Sequence, residues 1–177
     1  MAMKLLATNS GTNQTSMAFT SGIDSTYKLY IFKFLDIGPA TDGAGFTFNG
    51  SIDGGSNYNV TKTTSFFWAI HTEDDSSTNL EYSTGDDLAQ STDYQLLADG
   101  VGSAADESAA GTLWLFNPSS TTYQTHFIAR SQWFEYGGYS IDGHMGGYFN
   151  SADNIDAISF KMSSGNFDGT IKMYGVA

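Results

Sequence analysis

The residues that could do chemistry are few and scattered. His71, His126 and His144 are the three histidines, the side-chain type whose ordinary titration falls near neutral pH. A nucleophile, a histidine and an acid could assemble from distant parts of a chain. His71 and His126, however, fall in alternating, strand-like stretches beside apolar residues. His144 falls in Ile141-Asp142-Gly143-His144-Met145-Gly146-Gly147, which reads as a turn. His71 and His126 are expected to be structural, buried and satisfied or exposed at an edge, and His144 is expected to be an exposed loop histidine. No Gly-x-Ser-x-Gly, His-Glu-x-x-His or phosphate-cradling glycine loop occurs. Two carboxyl groups facing each other across a cleft could cleave a glycosidic bond. The acids Glu73, Asp74, Asp75, Glu81, Asp86, Asp87, Asp106 and Glu107 lie in polar turns with no aromatic wall in the adjoining sequence. They read as solvated loops, so no catalytic residue is expected and the chain reads as non-enzymatic.

Asp53-Gly54-Gly55-Ser56-Asn57 and Glu73-Asp74-Asp75 offer the oxygen ligands that Ca²⁺ prefers. Neither follows a fixed ligand spacing, and turn chemistry explains both, so no metal and no cofactor are expected. Recognition is the remaining class. Gln132-Trp133-Phe134-Glu135-Tyr136-Gly137-Gly138-Tyr139 sets four aromatics around a glycine pair. Aromatic rings near loops can stack on sugars or anchor a protein contact. Trp133, Phe134, Tyr136 and Tyr139 are therefore the candidate interaction surface. The alternative is that Trp133 or Phe134 is core and the tyrosines are its rim. Arg130, the single arginine, is expected to fork onto a carboxylate.

Charge narrows the partners. The 177 residues carry 19 acidic and 7 basic side chains, a net charge of −12. Such a surface repels phosphate backbones and anionic lipid, so neither nucleic acid nor membrane is an expected partner. The chain has no Cys, which removes disulfides, zinc-thiolate sites and a Cys nucleophile. No run of 18 apolar residues is present. The apolar start Met1-Ala2-Met3-Lys4-Leu5-Leu6-Ala7 stops at Thr8-Asn9-Ser10, too short for the core of a classical export signal.

The elements that must position these residues read as strands. Tyr27 to Leu35 is aromatic and β-branched on both parities, a central strand with both faces covered. Further strand signals are Gly45–Phe48, Thr64–His71 (with Phe66, Trp68 and Ile70 on one face), Gly111–Phe116, Tyr123–Phe134, Gly147–Phe149, Ile155–Met162 and Thr170–Tyr174. Ser163-Ser164-Gly165-Asn166 predicts a terminal hairpin between the last two, with Ile158, Phe160 and Met162 facing Ile171 and Met173. No helix is convincing; Ser103–Ala110 could form one turn. Residues 1–22 are polar and small and read as an N-terminal arm, packed on a neighbour or along the domain edge. The expectation is a single-domain antiparallel β-sandwich over residues 23–177, jelly-roll-like.

Ile23-Asp24-Ser25-Thr26-Tyr27, Asp36-Ile37-Gly38-Pro39-Ala40-Thr41-Asp42, Leu115-Phe116-Asn117-Pro118-Ser119-Ser120-Thr121-Thr122-Tyr123 and the segment Met162–Gly175 resemble a family of virion structural proteins of marine tailed bacteriophages. The resemblance runs from about residue 19 to the end, and Gly169-Thr170-Ile171-Lys172-Met173-Tyr174-Gly175 is its most specific phrase. It implies a particle component made in the host cytoplasm and released by lysis. The implied role is capsid decoration or stabilisation, or a tail-associated part. The implied partners are other virion proteins and further copies of the chain, a trimer first. It brings no catalytic residues. The alternative function is a receptor- or glycan-binding module of the tail, with a host-surface glycan as partner.

Overall fold

A computed structural model describes residues 2–177, whose backbone is extended nearly throughout. In chain order the strands are β1 (Met3–Gln14), β2 (Met17–Phe19), β3 (Leu29–Pro39), β4 (Ala44–Ser51), β5 (Lys62–Thr72), β6 (Thr78–Tyr82), β7 (Gln95–Val101), β8 (Ala109–Phe116), β9 (Thr125–Glu135), β10 (Tyr139–Phe149), β11 (Ala157–Met162) and β12 (Phe167–Val176). No helix occurs among the described residues, and Ser103–Ser108 is turn and loop.

All pairings are antiparallel. They run β1-β12-β3-β8-β9-β7-β4-β11-β2, and the two ends of that path meet. Asn9 Nδ2 on β1 donates to the Ala18 carbonyl on β2 at 2.8 Å. The sheet thus curls nearly into a barrel, a different description from two stacked layers. The all-β, antiparallel expectation holds.

The near-closure depends on a fork at β9. One edge of β9 pairs with β8. The other pairs with β10 from Thr125 to Glu135. Only at Glu135 does β9 also bridge β7, through Val101. β10, β5 and β6 therefore leave the barrel as a branch. A wedge must open between that branch and β7, because one strand edge cannot serve two partners along its length.

Phenylalanine fills the barrel. Phe160 of β11 stands 5.9 Å from Phe46 in a stacked pair and 5.6 Å from Phe32. Phe48 meets Phe127 edge-on at 5.2 Å, and Phe127 meets Phe149 at 4.8 Å. Each such pair adds about 0.5–1.5 kcal/mol beyond the area it buries. β4 is buried on both faces. Its outer Asn49 is satisfied by the chain that covers it, donating to the carbonyls of Tyr58 at 2.8 Å and Thr92 at 2.9 Å.

Several expectations need correction. β11 and β12 do not form a hairpin. β11 lies between β4 and β2, and β12 between β1 and β3. Ile158, Phe160, Ile171 and Met173 are all buried in the core from these separate strands, and Ser163–Asn166 crosses from one to the other. The glycine-rich run around His144 is mid-strand in β10, not a turn. Its glycines are small because neighbours occupy their space: a Cβ at Gly143 would lie 2.7 Å from the Trp133 ring, and one at Gly147 would lie 3.0 Å from Phe127. The polar residues 3–14 form a strand paired along β12, and Met17 and Phe19 enter the core. β3 is central, between β12 and β8, but its outer face opens at Lys33 and Leu35. There a bulge places Asp36 at φ 54°.

Candidate functional site

The wedge at the fork is a cavity of about 480 Å³, within the range of small-molecule sites. Its back wall comes from period-two alternation on the inner face of the branch. β5 supplies Phe66, Trp68 and Ile70, β10 supplies Ile141 and Tyr139, and β9 supplies Trp133 and Glu135. Register brings them together: Ile141 lies opposite both Ile70 and Trp133. Gly143 makes the depth possible, since any side chain there would collide with Trp133 and Phe66.

The other wall and the rim are loop ends. Asp99 and Gly100 come from the end of β7, Gly43 from the β3–β4 loop, Asp86 from the β6–β7 loop, and Tyr136 from the β9–β10 turn. That turn is closed by the Gly138 N–H donating to the Glu135 carbonyl at 2.9 Å, with Gly138 at φ 87°. The Tyr136 N–H donates to the Gly100 carbonyl at 3.0 Å. Its ring lies against Gly43 and Gly100, where an added Cβ would come within 3.3–3.4 Å of it. The glycines at these two positions therefore set where Tyr136 stands.

The charged groups that line the cavity are all acids. The indole N–H groups of Trp68 and Trp133 are buried without an acceptor, an arrangement folded chains seldom leave standing. Trp133 is 1% exposed. Glu135 accepts from the Gly137 N–H at 2.6 Å. Even so, burial holds its pKa above the usual carboxylate range, helped by the charges of Asp99, Asp42 and Glu107. Asp99 stands at the mouth. Protein crowded around its carboxyl, and then the charge of Asp86, raise its pKa too. Asp86 accepts from the Ser83 hydroxyl at 2.6 Å. Among the described residues no Lys, Arg or His lines this cavity, and no three His, Asp or Glu side chains converge closely enough to hold a metal ion.

Of the four aromatics singled out in the sequence, Trp133, Tyr136 and Tyr139 line this cavity. Phe134 does not, because alternation turns it to the other side of β9. Trp133 is at once core and cavity floor. Sequence reasoning missed Trp68, Asp99 and Asp86 as partners of this group. The shared face of Phe66, Trp68 and Ile70 was legible, but the pairing of β5 with β10 was not. Asp86, read as a solvated loop acid without an aromatic wall, has one supplied by distant strands.

The remaining candidates lie elsewhere. His71, His126 and His144 all project from the outer face, away from the cavity. His144 stacks on Phe67 at 4.9 Å and approaches Asp142 at 3.5 Å. Arg130 forks onto Asp142 with contacts of 3.0 and 2.8 Å. Asp53 spends its carboxylate on Ser51 and Asn57 within its turn, which lowers its pKa to about 2. Asp74 accepts from the Ser76 N–H at 3.0 Å.

No protein-family model matches the chain, and no curated protein matches it in sequence.

Proposed function

We propose that the chain is a non-enzymatic recognition module of a bacteriophage particle and that the cavity at the β9 fork receives a unit of a host-surface glycan. One observation carries this reading: two tryptophans, two tyrosines and three carboxyl groups line one cavity. Sugars present apolar C–H faces that stack on such rings and hydroxyls that donate to carboxylates. In this reading the sheet is a jelly-roll-like β-sandwich with β2-β11-β4-β7 laid over β3-β8-β9, and the site sits at one end between the layers. A glycan array probed with wild type, Trp68→Ala and Tyr136→Ala tests the proposal. Wild type is expected to select a small set of glycans and both variants to lose them. Equal binding by all three proteins overturns the site.

A second reading, capsid decoration or a tail-associated structural role in a homo-oligomer, draws support from the outer face of the sheet across β5, β8 and β9. Phe67 and Ile128 stand there 44% and 48% exposed beside Trp114. Negative-stain images of particles labelled with antibody to this protein test it. Label confined to the lysate counts against a place on the virion.

A further inference from the structure

We infer that the ligand of the fork cavity is cationic: an amino sugar whose nitrogen is a free ammonium, not an acetamide. The inference rests on the glycan reading and adds a charge to it. Asp86, Asp99 and Glu135 line the cavity, and no basic side chain among the described residues does. Asp142, the acid nearest the only arginine, is on the other face of the sheet and has already taken that guanidinium. None of the three carboxyl groups is in an ion pair, and Lys161, the basic residue that shares a neighbouring pocket with Asp99, is set over the Tyr94 ring. Seating a neutral ring over them strips water from acids and returns no opposite charge, which costs free energy. An ammonium group reverses that sign, and charge-assisted hydrogen bonds to carboxylates are the stronger kind. The aromatic wall adds to the same preference, because a cation is drawn to the faces of Trp and Tyr.

A bare metal ion does not fit, since no three ligating side chains among the described residues are arranged to hold one. An amino sugar fits both halves: its apolar ring face lies against the aromatic wall, and its ammonium donates to the acids.

The probes are the glucosamine tetramer, the N-acetylglucosamine tetramer and the neutral glucose tetramer, titrated calorimetrically at pH 6 and low salt. The glucosamine tetramer is expected to bind about tenfold or more tighter than the other two, as befits one charge-assisted hydrogen bond. Asp99→Asn, or Glu135→Gln should the first fail to fold, is expected to abolish that preference. Because the whole chain is strongly acidic, Asp153→Asn is the control: it removes one charge from an exposed loop at the opposite end of β10 and is expected to leave the preference intact. Equal loss in Asp153→Asn and Asp99→Asn shows diffuse attraction and overturns the inference. Equal or tighter binding of the acetylated or neutral tetramer overturns the inference and leaves the glycan reading standing. Binding of none of the three overturns both.

Discussion

Two aromatic clusters sit a few strands apart and do different work. In the barrel, Phe19, Phe32, Phe46, Phe48 and Phe160 meet ring against ring, all fully or nearly buried. None carries a polar atom, so nothing there needs a partner. At the fork, the rings are Trp68, Trp133, Tyr136 and Tyr139, and they surround open volume and acids. The contrast shows what separates a core from a site in this fold. Where neighbouring strands stay paired, side chains close the space. Where β9 divides its edge between β10 and β7, the space stays open, and the residues around it include three carboxyl groups with no basic side chain beside them in the cavity.

The contrast can be broken from either side. Phe160→Ala should have the largest effect on stability, about 3–5 kcal/mol by urea unfolding, because four rings lose their common neighbour. It should leave ligand selectivity unchanged in whatever fraction is folded. Trp68→Ala should show the reverse. Binding should fall by about 2 kcal/mol or more, the loss expected of an interfacial anchor, with a smaller change in the unfolding midpoint.

Lys62 sharpens the comparison from the buried polar side. It is fully buried at the start of β5, and its ammonium donates to the Asp93 carbonyl. Burial lowers its pKa from 10.5 to about 8, against a smaller opposing pull from Asp93. The unfolded chain therefore binds more protons than the folded one between those values. Stability should rise by roughly 1–2 kcal/mol from pH 8 to pH 9.5. Lys62→Met should flatten that rise in paired urea titrations.

The cavity acids give a fourth test, with the opposite pH sense. Asp99 and Glu135, faced by Asp86, Asp42 and Glu107, have pKa values raised above the ordinary 3.8 and 4.5. As pH falls they take up protons early, so affinity for the glucosamine tetramer should drop at a higher pH than ordinary carboxylates would allow. Asp99→Asn should reduce that dependence. The smallest effect is expected from Arg130→Met. Its partner Asp142 lies on the exposed outer face, where ion pairs contribute little, so thermal midpoint and binding should both stay near wild type.

What the sequence revealed, and what it hid, follows the same division. Alternation in Thr64–His71 and Tyr123–Phe134 was enough to place β5 and β9 and to say which side chains share a face. It could not say that β10 runs between them. Gly143, Gly146 and Gly147 resemble turn residues until Trp133, Phe66 and Phe127 are seen occupying the space above two of them. The failed hairpin has a similar cause. Gly165-Asn166 supplies turn chemistry equally well for a hairpin and for a crossing, and the choice is made by apolar faces far away in sequence. Of the site, Trp133, Tyr136 and Tyr139 were visible because they are near neighbours in the chain. Trp68, Asp86 and Asp99 join them only through pairing across strands.

The three tryptophans make the direct test. Trp68 and Trp133 line the fork cavity, and Trp114 lies on the outer face of the sheet. A ¹H–¹⁵N correlation spectrum of the ¹⁵N-labelled protein resolves their indole N–H signals. Adding the glucosamine tetramer is expected to move the signals of Trp68 and Trp133 together, with one saturation curve, and to leave that of Trp114 in place. Movement of Trp114 alone, or no movement of any indole at saturating tetramer, would contradict a ligand site at the fork.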